Sequence, residues 1–147
     1  MIVPATMSDL DAILELEESG FVPASRWIRA SWLPELSGTD HYVPTARSGD
    51  EVLLGVAAFR QAGDVADLNR VIVAPSFRGR GIGRALLEAG CGWAAAGGVQ
   101  RMLLEVEPDN EAALGLYRGF GFLEVATRAN YYGAGRDALV MQKELVA

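Results

Sequence analysis

The sequence predicts an α/β (α+β) fold built on one mixed sheet of about six to seven strands. Three observations carry this reading. The chain has 147 residues, 50% of them hydrophobic and 22% charged, which suffices for one buried core and matches the roughly 100–200 residues of a typical domain. Helical apolar spacing in its first quarter gives way to short apolar runs separated by glycine turns. A long helical segment then lies between two apolar strands, Ala66–Val73 and Met102–Val106; such a strand–helix–strand crossover makes a parallel pair. No linker-like stretch, repeat or low-complexity tract interrupts 1–147, so the chain reads as one domain.

In chain order, Ser8 with Asp11 reads as a helix start, the Ser8 hydroxyl accepting from a first-turn amide. Leu10, Ile13, Leu14 and Leu16 supply its apolar stripe and Gly20 its stop. A second helix is expected over Ala24–Leu36, with Pro34 disturbing its end and Trp27, Ile28 and Trp32 packing on the core. Strands follow at His41–Arg47, Val52–Phe59 and Ala66–Val73, separated by the turns Ser48-Gly49-Asp50 and Ala62-Gly63-Asp64. After a loop from Ala74 to about Arg80, the long helix covers Gly81–Ala96 and ends at Gly97-Gly98. Met102–Val106 is an apolar strand ended by Pro108, and Asn110 caps a short helix through Tyr117. Strands at Phe122–Arg128 and Ala138–Glu144 complete the chain, the second entered from Gly133-Ala134-Gly135.

Composition excludes several function classes. Acidic side chains number 19 against 13 basic ones, for a net charge of -6. That opposes general nucleic-acid binding, which needs basic surface, and favours a cationic partner. One cysteine, Cys91, forms no internal disulfide and no structural zinc site, and one histidine, His41, leaves little for a Ser-His-Asp triad or a metal centre. No metal is therefore expected, and Cys91 and His41 read as structural. No apolar run approaches the roughly 20 residues that span a bilayer. The start Met1-Ile2-Val3-Pro4-Ala5 lacks the features of a signal peptide. A soluble cytoplasmic protein without a membrane partner is the default expectation; nothing in the sequence sets an oligomeric state.

The segment Val71-Ile72-Val73-Ala74-Pro75-Ser76-Phe77-Arg78-Gly79-Arg80-Gly81-Ile82-Gly83-Arg84 carries the most chemistry. A buried strand runs into a glycine-spaced loop that opens a helix. Glycines lack Cβ, so neighbouring backbone N–H groups can converge on an anion. The helix N-terminus adds orphan donors and the positive end of its dipole. Arg78, Arg80 and Arg84 add full charges in an otherwise acidic chain. Together these features suit a pyrophosphate. A P-loop is excluded, because no Gly-Lys-Ser/Thr follows, and the Gly79-x-Gly81-x-Gly83 spacing departs from the dinucleotide fingerprint.

The run Arg78-Gly79-Arg80-Gly81-Ile82-Gly83 resembles the acetyl-CoA signature of the GNAT acetyltransferases, Arg/Gln-x-x-Gly-x-Gly/Ala. A second stretch, Leu104-Glu105-Val106 followed by Asn110, Ala112-Ala113, Leu116-Tyr117 and Gly121-Phe122, is similar to the same family. There the likeness is strongest to the members that acetylate protein N-termini, those acting on a ribosomal protein's alanine above all. It continues through Arg128-Ala129-Asn130-Tyr131-Tyr132 and Asp137–Met141, and touches Asp9-Leu10, Leu16-Glu17, Ser31-Trp32 and Glu35-Leu36. The resemblance implies the GNAT fold, with helices on both faces of the sheet, and acetyl-CoA as co-substrate. The amides of residues 79–83 would hold the CoA pyrophosphate with Asn110 nearby, and the edge Val71-Ile72-Val73 would pair with the pantetheine.

The chemistry then calls for a base and an acid. A terminal α-amine, with a pKa of about 8, is mostly protonated at pH 7 and must lose a proton before it attacks a thioester. The family pattern puts that base at Glu105; Glu107 shares its side-chain parity on the strand, and Asp67 is a second candidate. A phenol stays protonated at pH 7 and can donate to the leaving thiolate; the resemblance puts this role on Tyr117. It also places Phe21, in the loop between the first two helices, and the pair Tyr131-Tyr132 against an extended peptide. Arg70 departs from the family, which usually has a small or neutral polar residue there; its charge could reshape the acceptor cleft or reach solvent at the sheet surface. The expected acceptor is a protein or peptide N-terminus. A small amine (amino acid, polyamine or antibiotic) is the alternative acceptor, and a non-catalytic acetyl-CoA-binding module the alternative of another class.

Overall fold

The computed structural model describes residues 1–145. The elements are β1 (Ile2–Pro4), α1 (Leu10–Gly20), α2 (Arg29–Ser37), β2 (His41–Tyr42), β3 (Pro44–Arg47), β4 (Leu53–Ala62), β5 (Val65–Val73), α3 (Ile82–Ala96), β6 (Arg101–Val106), α4 (Glu111–Phe120), β7 (Leu123–Gly133) and β8 (Arg136–Glu144). The strands form one eight-stranded sheet in the order β1-β3-β4-β5-β6-β8-β7, with β2 pairing the C-terminal half of β4. β5 and β6 are parallel, as their crossover through α3 requires; the other pairs are antiparallel.

Strand alternation sends side chains to two cores. On one face, Phe59, Leu68, Met102, Leu104 and Met141 pack against Leu86, Leu87 and Ala94 of α3 and Leu114 of α4. On the other, Leu10, Ile13 and Leu16 of α1 and Trp32 of α2 cover Val43, Val56, Ala58 and Ile72. The Val, Leu, Ile, Phe and Met side chains among them contribute about 1.5–3 kcal/mol each when fully buried. Helices thus cover both faces of the mixed sheet.

Several sequence expectations need correction at the N-terminal end. The chain enters α1 through a 3-10 turn, Met7–Asp9, and the capping pair is Thr6 with Asp9: the Thr6 N–H donates to Asp9 Oδ2 at 2.8 Å. Ser8 lies inside that turn, its hydroxyl 2.7 Å from Thr6 Oγ1. The second helix begins at Arg29 and not at Ala24, because Pro23–Ser25 forms its own 3-10 turn and Arg26 is extended. Ile28 is 65% exposed and does not pack on the core; as the extended N-cap residue it is turned off the inner face of α2. Pro34 lies within α2 without ending it, and the helix runs on to Ser37. The expected strand His41–Arg47 is split into β2 and β3, and β1 has no counterpart among the ranges read from sequence.

Close packing explains one glycine. A Cβ on Gly90 of α3 would lie 2.0 Å from Cζ of Phe59, whose ring is fully buried in the core. Gly90→Ala is therefore expected to incur an overpacking cost high in the range of about 1–3 kcal/mol. That exceeds the roughly 1 kcal/mol alanine gains in a helix interior. Thermal melts should show a lower Tm; a raised one would mean that Phe59 relaxes freely.

Candidate active site

Where β5 and β6 stop pairing, the sheet opens. Their register runs from Val65↔Arg101 to Leu68↔Leu104 and goes no further. β4 stays paired with β5 as far as Val73. Between those strands Leu68 faces Phe59 and Arg70 faces Ala58, so Asn69 is an extra residue in β5. Such a bulge bends its strand, and from Asn69 onward β5 no longer pairs with β6. Residues 69–73 thus keep a neighbour on one side only, and Glu105 sits at the start of the opening.

Two cavities meet at this opening. A groove of about 410 Å³ is lined by Val71, Ile72 and Val73, by Phe77, Arg78, Gly79 and Gly81–Arg84, and by α4. A larger cleft of about 1050 Å³ lies between the α1–α2 segment, β6, α4 and the β7–β8 hairpin. Gly20, Phe21, Val71, Asn110 and Ala113 line both.

The smaller groove is a cradle made of backbone. Gly79 and Gly81 have φ of +78° and +81°, a left-handed conformation that costs other L-residues roughly 1–2 kcal/mol. Gly81 is the N-cap of α3, so the free first-turn amides of that helix adjoin the loop. Gly83 has a different reason: a Cβ there would meet Leu116 Cδ2 at 3.0 Å. Arg78 lines the groove and donates from Nε to the Val73 carbonyl at 3.3 Å. Arg84 also lines it, pairing with Glu88 at 3.3 Å. Arg80 does not line it; its guanidinium lies 5.0 Å from the Phe77 ring centre. The donor set, the missing Cβ atoms and the one-sided strand edge fit a diphosphate followed by an extended amide-bearing arm, as in acetyl-CoA.

The larger cleft holds the titratable groups. Glu105, its side chain 24% exposed, pairs with Arg128 Nη1 at 3.2 Å, and Glu107 with Arg136 Nη2 at 2.6 Å. Tyr117 is buried within α4, yet its hydroxyl makes no hydrogen bond among the described residues and is not sealed off, so it opens on the cleft. Burial pushes its phenol well above the ordinary tyrosine value; Tyr132 adds to this and Arg70 opposes it. Tyr131 and Tyr132 line the same cleft with rings 4.9 Å apart and edge-on. The Tyr132 phenol is also pushed up, first by burial and then by Tyr131, Glu105 and Glu107. Asn110 caps α4, its Oδ1 accepting from the Ala113 N–H at 3.2 Å, and lines both cavities. Asp67 lines neither; burial, opposed by the charge of Arg60, raises its carboxyl.

Sequence reasoning missed a set of side chains that shape this cleft. Ser25, Trp27, Glu35 and Arg136 all line it. Beneath them Glu17, 1% exposed, accepts from the Trp27 N–H at 2.9 Å, from Trp32 Nε1 at 2.9 Å and from Arg70 twice. A signal for Glu17 does exist: it stands seven residues after Leu10, on the inward stripe of α1, where a charge needs a partner.

Residues 9–122 match the Acetyltransferase (GNAT) family. The N-alpha-acetyltransferase RimI of Mycobacterium tuberculosis is 37% identical over 144 residues, covering 95% of this chain and 89% of that protein. An uncharacterized Mycobacterium leprae protein is 35% identical over 144 residues, 95% of this chain; the chain spans 39% of its length. Among solved structures, the ribosomal-protein-S18-alanine N-acetyltransferase of Escherichia coli superposes with a TM-score of 0.87 at 28% identity, covering 100% of this chain and 94% of that one. Likeness in sequence and the sheet that parts between two joined cavities agree: the chain belongs to the GNAT acetyltransferase family and is an acetyl-CoA-dependent N-acetyltransferase.

Proposed function

We propose that the chain acetylates the N-terminal α-amine of a protein, a ribosomal protein beginning with alanine being the substrate class, by direct attack without a covalent enzyme intermediate. The observation that carries the reading is the end of β5–β6 pairing at Leu68↔Leu104, beside which Glu105 and Tyr117 border the cleft joined to the glycine cradle. Two relatives support the acceptor class. One is named an N-alpha-acetyltransferase, the other a ribosomal-protein-S18-alanine N-acetyltransferase.

Acetyl-CoA, when bound, supplies an activated thioester carbonyl. The amides of Gly79, Arg80, Gly81, Ile82 and Gly83 hold its diphosphate, with charge from Arg78 and Arg84 and from the more distant Arg80. The edge Val71–Val73 bonds the extended arm, and Asn110 borders the join. Glu105 takes the proton of the acceptor ammonium, directly or through one water; Arg128, 58% exposed, can swing aside. Tyr117 gives its proton to the departing sulfur, a task suited to a phenol that burial keeps protonated. Phe21, Tyr131 and Tyr132 wall the path of the acceptor. The net charge of -6 suits a basic polypeptide end.

Intact-mass and fragment analysis of products tests this on Ala-, Ser- and Met-first peptides beside amino acids, polyamines and aminoglycosides. Acetylation of peptides at the α-amine is expected. Modification of the small amines alone would overturn the protein acceptor. Coenzyme binding without turnover of any of them would leave a binding module. In the same assay Glu105→Gln is expected to lose about 10²-fold in kcat at pH 7, with KM for acetyl-CoA unchanged. An unaltered kcat would move the base elsewhere, Glu107 first.

A further inference from the structure

Arg70 ties the strand bearing the coenzyme edge to the segment that walls the acceptor cleft. Its Nε donates to Glu17 Oε2 at 3.1 Å; its Nη2 donates to Glu17 Oε1 at 2.5 Å and to the Ser25 carbonyl at 2.7 Å. Its guanidinium lies 3.7 Å from the centre of the Phe21 ring and 5.2 Å from that of Trp27. Phe21, Ser25, Trp27 and Arg70 line the cleft together with Tyr117 and Tyr132.

We propose that Arg70, stacked on Phe21 and forked onto Glu17 and Ser25, is a specificity-determining residue that restricts the acceptor's first side chain to a small one. The inference rests on the protein N-terminus as acceptor. The cleft as a whole, about 1050 Å³, is too open to select by volume. Selection must therefore act beside the amine, in the part of the cleft lined by Arg70, by its chain neighbour Val71 and by Tyr117.

A long side chain usually makes a soft wall, because it swings aside. This one cannot. The Glu17 carboxylate it grips is 1% exposed, and each of its oxygens accepts one bond from Arg70 and one from a tryptophan N–H. Withdrawing the guanidinium would leave a buried carboxylate short of half its partners. One face of Phe21 is covered at the same time, so that ring cannot take a large apolar side chain on the covered side. Alanine or serine leaves the stack undisturbed; methionine or leucine must displace it.

The test uses peptides identical except for a first residue of Ala, Met or Leu, assayed with acetyl-CoA. Arg70→Lys keeps a cation opposite Glu17 but loses the planar stack and the fork. It should raise the Met-to-Ala and Leu-to-Ala ratios of kcat/KM about tenfold, through lower KM for the bulky peptides and with KM for acetyl-CoA unchanged. Phe21→Leu leaves the ion pair intact and should move the ratios the same way; it decides the matter if Arg70→Lys does not fold. Ratios within twofold of wild type in a folded variant, or a wild type that takes Met as well as Ala, overturn the proposal alone. A wild type that acetylates no peptide overturns the protein acceptor, and this proposal with it.

Discussion

Tyr117→Phe is expected to lower kcat by about 10²–10⁴-fold, the range of a positioned general acid, while KM for acetyl-CoA stays within a factor of two. Only the hydroxyl is removed. The ring keeps its edge contact with Phe122, centroids 5.9 Å apart, and its place in the core beside Leu114. Stability should hardly change, because the hydroxyl has no hydrogen bond to lose among the described residues. A drop in kcat at constant Tm separates lost chemistry from lost packing. The pH dependence has a definite sign. The working form is the protonated phenol, and burial raises its pKa well above the usual value, so the acid remains available past pH 10. A descending limb of kcat between pH 8 and 9 that vanishes in the phenylalanine variant would contradict this. So would a variant as fast as wild type.

Glu17→Ala is expected to cost about 3–5 kcal/mol, the cost of breaking a buried ion pair from one side. It would strand the Arg70 guanidinium, 13% exposed, and deprive Trp32 Nε1 and the Trp27 N–H of their acceptor. At roughly 2–4 °C per kcal/mol for a chain of this size, Tm should fall by more than about 6 °C. Glu17→Leu combined with Arg70→Met should recover part of the loss, since no unpaired charge is left behind. Thermal unfolding checks both variants. A midpoint within 1 °C of wild type for Glu17→Ala would mean that water replaces the pair, and the cleft wall would then be soft.

Helix and strand types were legible wherever the apolar period was long. The α3 pattern from Ile82 to Ala96 and the β6 run to Val106 agree with the sequence reading within one residue at each end. The reading failed between Ala24 and Ile28, where Trp27 and Ile28, taken together with Trp32, mimic a helical stripe. Pro23 at the first position of a 3-10 turn wins there, and Arg26–Ile28 stay extended to reach Glu17. The glycine cradle was legible for the opposite reason: the left-handed φ at residues 79 and 81 is a local demand that only glycine meets cheaply. Arg80 was grouped with its neighbours by spacing alone, but in space it turns onto Phe77 and away from the groove.

What the amino-acid order determined by itself was therefore the family, the backbone cradle and the strand carrying Glu105, all encoded within a few residues by φ, helix termini and side-chain parity. Tertiary structure alone decided the opening of the sheet, which depends on the Asn69 bulge against β4. It also left Asp67 off the lining of both cavities and joined Glu17 to Arg70 across 53 residues. Charges that far apart in sequence pair only after two helices and a strand have packed, because the energy that selects the partner is desolvation, and desolvation does not exist until the core has closed.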